Sequence, residues 1–161
     1  MNWFLYSNIF TPILLAIIIN IIIFTYGWNR INKTTEEKTE GKTEGKMYKR
    51  NKLLPPGGIV GIIWMILFGL IGYVNYSLLT MKNKTQITYL TSGYLILFII
   101  FCLSYPFLTN GLQEKNAYVL NGITLVLSII LFILVYIQSK TTSYYLIPLL
   151  LWASYVNLIF L

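Results

Sequence analysis

The stretch Pro55–Tyr76, PPGGIVGIIWMILFGLIGYVNY, decides the fold. After its two prolines about twenty residues follow without a formal charge, enough at ~1.5 Å per residue to cross a hydrocarbon core about 30 Å thick. It reads as a membrane helix. Gly61, Trp64, Phe68 and Gly72 recur at i, i+3, i+7 and i+11 and so share one side of that helix. The stripe has two readings. Its aromatic residues pack against neighbouring helices, or, with glycines admitting a close backbone, they wall a cavity between helices.

Composition extends the membrane reading to the whole chain. Of 161 residues, 57% are hydrophobic and 11% charged, which is not the balance of a soluble globule. Eight of the twelve Lys and Arg fall between Arg30 and Lys52, so the net charge of +7 is local. A basic loop beside apolar spans fits the positive-inside bias better than nucleic-acid binding. There is no His and no Asp, and the five acids, Glu36, Glu37, Glu40, Glu44 and Glu114, all lie outside the apolar runs. Proton-coupled pumps need an ionisable residue at membrane depth, and this chain has none there. The same inventory leaves no base for a Ser or Cys nucleophile and no metal site in the membrane. The single cysteine, Cys102, has no intrachain disulfide partner.

Five spans are expected, at about 8–28, 57–80, 88–108, 117–138 and 143–161, forming one all-α transmembrane domain. In the first, Pro12 falls near the start, where its missing N–H costs least, and Asn20 is expected to hydrogen-bond another helix. Residues 29–53 form one long loop whose TTEEKTEGKTEGK run has nothing apolar to bury and should be mobile. Pro106 is expected to mark the end of the third span. In the fourth, Asn121, Thr124 and Ser128 lie at i, i+3 and i+7, a polar stripe that should face protein and not lipid.

This arrangement puts loops 29–53 and 109–116 on one side with nine Lys or Arg, against three on the other. By the positive-inside rule the first side is cytosolic and the N-terminus is outside. The mitochondrial outer membrane, another internal membrane and the cell membrane all remain open. Gly57 and Gly61, with Gly69 and Gly72, permit close helix contacts inside the bundle or between two chains, and a homodimer is expected.

Pro55-Pro56, Gly61, Trp64, Leu67-Phe68, Gly72-Tyr73 and Tyr76 resemble the second-helix signature of the translocator protein family, also called tryptophan-rich sensory proteins or peripheral benzodiazepine receptors. Pro148, Trp152, Ala153 and Tyr155 are similar to the family's fifth-helix pattern, so the resemblance runs from about residue 48 to 158. It implies a five-helix bundle whose pocket, lidded by the first loop, takes porphyrins and benzodiazepine-type drugs. Trp64, Phe68, Tyr105, Asn121, Trp152 and Tyr155 are the ligand-binding residues it suggests here. Three features depart from the family. A carboxylate of its fourth helix falls on Asn121, the two tryptophans of its third helix are absent from Cys102-Leu103-Ser104-Tyr105-Pro106, and Arg50-Asn51-Lys52-Leu53 replaces its Lys-Pro-Ser-Trp.

Four functions stay open. The first is a receptor or sensor for tetrapyrroles such as protoporphyrin and haem, bound as ligands with no cofactor required, and with sterols or benzodiazepine-like molecules as further ligands. Leu134, Tyr136 and Lys140 form a weak sterol motif. The second is an enzyme degrading porphyrin oxidatively through Trp64 and Trp152, by radical or light-driven chemistry on the ligand, since no acid or base is in reach. The third is a tetrapyrrole or lipid translocator. The fourth is an assembly protein whose aromatic stripes only pack.

Overall fold

A computed structural model describes residues 3–38, 53, 55, 57–109 and 114–160, with side chains at 3–22, 53, 55, 59–105, 108 and 117–159. Helix α1 spans Trp3–Lys38, α2 Gly57–Leu79, α3 Gln86–Thr109 and α4 Glu114–Gln138. The last span is composite: α5 at Lys140–Ser143, a 3₁₀ turn at Tyr144–Leu146, and α6 at Ile147–Phe160. Among the described residues there is no strand, and five helical segments are long and apolar enough to cross a membrane. The protein is an all-α membrane protein.

Local chemistry sets several helix ends. The Thr80 amide and hydroxyl both donate to the Tyr76 carbonyl, at 3.0 and 2.8 Å, closing the last turn of α2. At the start of α3, the Thr88 amide donates to the Thr85 carbonyl at 3.0 Å, and Thr85 returns its own amide to the Thr88 hydroxyl at 3.2 Å. Ser139 caps α5 by accepting from the Thr142 amide. Pro148 has no N–H to give the Tyr144 carbonyl four residues back, which accepts the Ile147 amide instead, so the tighter 3₁₀ turn is the local solution.

Three sequence expectations change. Helix α1 begins at Trp3 and continues to Lys38, so the first ten residues of the expected 29–53 loop are helical. No Gly or Pro interrupts the chain between Gly27 and Gly41, which is why the helix can run on into water. Residues 39–52, with most of the low-complexity run, lie outside the described residues. Asn20 does not bond another helix. It is exposed, and its Nδ2 donates to the Ala16 carbonyl of α1 itself at 2.7 Å, the one-turn back-bond open to any short polar side chain in a helix. The last span, expected from about residue 143, starts at Lys140 and is broken by the 3₁₀ turn, while α3 ends at Thr109, within a residue of its expected end.

Helix α2 is the centre of the bundle. Leu67, Phe68, Ile71, Val74 and Leu78 are buried along it and join Leu95 and Phe98 of α3, Leu131 and Val135 of α4, and Leu146 and Leu149 of the last span in one cluster. Between apolar helices in lipid, close packing and interhelical hydrogen bonds supply the attraction, each such bond giving about 0.6–2 kcal/mol. Asn75 of α2 donates to Asn8 of α1 at 2.7 Å and accepts from Ser92 of α3 at 2.6 Å, a chain tying three helices together. Gln138 of α4 donates to Thr91 of α3 at 2.6 Å, and the Tyr94 hydroxyl of α3 reaches the Leu127 carbonyl of α4 at 3.1 Å. Asn121, Thr124 and Ser128 are all buried, so the polar stripe of α4 does face protein.

Candidate functional site

Six residues were singled out by the sequence, and they fall into three pairs. On α2 the rings of Trp64 and Phe68 lie 5.5 Å apart and tilted, as expected for an i, i+4 pair. Phe68 is buried and Trp64 half-buried. On α6, Trp152 and Tyr155 are 5.8 Å apart with a similar tilt. Trp64 and Trp152 pack against the same hydrophobic cluster. Helix α2 meets the last span chiefly at α5 and the 3₁₀ turn, where Tyr73 sets its edge on Tyr145 at 4.8 Å. Along the tryptophans, backbone contact between α2 and α6 is sparse.

The third pair links α3 to α4. The Tyr105 hydroxyl donates to Asn121 Oδ1 at 2.7 Å, and Asn157 of α6 donates to the Asn121 main-chain carbonyl at 3.0 Å. Asn121 is therefore the junction of three helices. Its side-chain Nδ2 is buried, with no hydrogen-bond partner among the described residues. Thr124 and Ser128, on the same stripe, are satisfied by the Leu120 and Thr124 carbonyls of their own helix, so the unmet donor is particular to Asn121.

Tyr155 stands apart from this arrangement in one respect. It is 41% exposed, and its hydroxyl donates to the Leu53 carbonyl at 2.8 Å. That bond fastens the segment leading into α2 onto α6, so Tyr155 fixes the entry to the second helix while its ring supports Trp152. Leu53 and Asn157 were not singled out by the sequence. Asn157 carries a signal, an amide one helical turn beyond Ala153 on an otherwise apolar helix. The role of Leu53 rests on a main-chain carbonyl, which no side-chain pattern announces. Groups of three or more His, Cys, Asp or Glu placed to hold a metal are absent among the described residues.

Five apolar helices, a set of hydrogen bonds tying them to one another, and aromatic pairs on the second and last spans define a multi-pass integral membrane protein. The chain belongs to the TspO/MBR family, whose family model matches residues 16–160. Membership makes it a membrane sensor or translocator of that family. No curated protein and no solved structure matches the chain.

Proposed function

We propose that the protein is a membrane receptor for tetrapyrroles, protoporphyrin or haem, held between the aromatic residues of α2 and α6 and oriented by Asn121. The observation that carries this reading is the Asn121 amide, buried at the junction of α3, α4 and α6 with an unanswered donor. Leaving such a donor unmet costs about 1–3 kcal/mol, and a ligand carbonyl or carboxylate oxygen removes that cost. The rings of Trp64, Phe68 and Trp152 supply flat apolar surface suited to a macrocycle. Sterols and benzodiazepine-like molecules are the alternative ligands, sharing the apolar character but offering fewer acceptors.

The test is a titration of the full chain in lipid nanodiscs with protoporphyrin. Tryptophan fluorescence should be quenched saturably with a micromolar-range Kd, about −8 kcal/mol of binding. Asn121→Asp keeps the shape and the bond from Tyr105 but replaces the donor with an acceptor. It should weaken free-acid protoporphyrin tenfold or more relative to the uncharged dimethyl ester, because a hydrogen bond to a charged group is worth about 1.5–3 kcal/mol. Quenching that never saturates, or an unchanged preference in the variant, rejects this assignment.

The same reading places the N-terminus outside and residues 29–53 in the cytosol, following the excess of Lys and Arg. A membrane-impermeant maleimide applied from the cytosolic side should label Lys42→Cys and spare Lys84→Cys. Cys102 is buried and adds no background. Equal labelling at the two positions ends this topology.

A further inference from the structure

A cavity of about 410 Å³ lies between α1, α2 and α3, and none of the six aromatic-site residues lines it. We infer that it is a second ligand site, for the single chain of a neutral, hydroxyl-bearing lipid of the monoacylglycerol type. The volume is at the lower end of the ~300–1,000 Å³ of small-molecule pockets. It is open on one side, and at about 30 Å³ for a group the size of water it has room for roughly fourteen such groups, enough for one acyl chain.

The lining is sorted by depth. Asn75, four residues before the end of α2, is about 6 Å from that end, and Ser7 and Asn8 sit at a comparable depth below the start of α1. Those residues form the polar end. Leu103, on α3, lies about 26 Å from the start of its helix on the same side, and with Ile96 and Ile100 it makes the apolar end. An amphiphile in that leaflet has the same order, head group shallow and chain deep. Leu15, Ile96 and Ile100 are exposed large hydrophobic residues, so the cavity opens toward acyl chains and not toward water.

The polar end also selects the head group. No charged residue lines the cavity, so no ion pair there offsets the cost of burying a phosphate or a carboxylate. Asn8 Oδ1 accepts from Asn75, and the Ser7 hydroxyl donates to the Phe4 carbonyl, which leaves lone pairs on both oxygens for a donor from the ligand. A lipid hydroxyl is such a donor. The site holds an uncharged alcohol by acceptors and a chain by packing.

The experiment uses the full chain in nanodiscs with a monoacylglycerol carrying a diazirine deep in its chain. Photolabelled peptides should map to α1 and α3, and labelling should fall fivefold or more in Thr11→Trp, which fills the cavity from its exposed α1 wall. Ile100→Trp fills it from α3 and should do the same, so a folding defect in one variant does not decide the result. A fatty acid with the same diazirine chain should label at least threefold more weakly, and excess protoporphyrin should not displace the label. Adducts spread over all spans, labelling indifferent to both tryptophan variants, equal labelling by the fatty acid, or displacement by protoporphyrin each overturns the assignment. So does protection of this face by a second copy of the chain.

Discussion

Trp64→Ala and Trp152→Ala are each expected to weaken protoporphyrin binding tenfold or more, while Trp3→Ala leaves it unchanged. Truncating a large aromatic residue at a binding hot spot typically costs on the order of 2 kcal/mol, and 1.4 kcal/mol is a factor of ten. Both central tryptophans are half-buried against one cluster, on two helices that share few close backbone contacts. Trp3 is 72% exposed at the start of α1 and is not part of that cluster. Binding should be read from the porphyrin absorbance band, because removing a tryptophan also removes part of the fluorescence signal. If all three variants bind as the wild type does, the stripes are packing, and an interaction protein becomes the better reading.

How much of this was legible depended on what the bilayer forbids. A charge-free run of the length of α2 has no alternative to a spanning helix, and Asn121, Thr124 and Ser128 had to turn inward because lipid offers them no partner. The same rule misplaced Asn20, since a helix always offers an asparagine the carbonyl four residues back. The extension of α1 to Lys38 was hidden because hydropathy periodicity marks apolar helices, and residues 29–38 are almost entirely polar or charged. The Asn8–Asn75–Ser92 chain was equally hidden. Each residue is visible in the sequence, but their meeting depends on how three helices rotate and slide against one another. Asn121 was legible as a departure from the family, and its unmet donor was not.

Gly72 shows the limit of reading a helix by its stripe, and it carries the prediction of opposite signs. Spacing groups it with Gly61, Trp64 and Phe68, and it lies only about 20° around the helix from Gly61, but about 16 Å further along it. It faces another neighbour. A Cβ at Gly72 would overlap the Asn8 carbonyl and crowd the Ile9 backbone of α1, and main chain cannot rotate aside as a side chain can. At Gly72 the α1 backbone lies directly against α2, beside the Asn75 to Asn8 hydrogen bond and one turn from Gly69, over which Ile13 lies. Gly61 has open space where its Cβ would go. Gly72→Ala should therefore cost about 1–3 kcal/mol, the range for overpacking a filled contact, and part α1 from the bundle. Gly61→Ala should be neutral or stabilising by up to ~1 kcal/mol, since alanine restricts the unfolded chain and favours helix. Thermal melts in mild detergent compare the two directly, with Gly72→Ala below wild type and Gly61→Ala at or above it. Melting of Gly72→Ala at the wild-type temperature would mean that the seam between α1 and α2 is looser than a glycine contact, and that α1 is held by its hydrogen bonds alone.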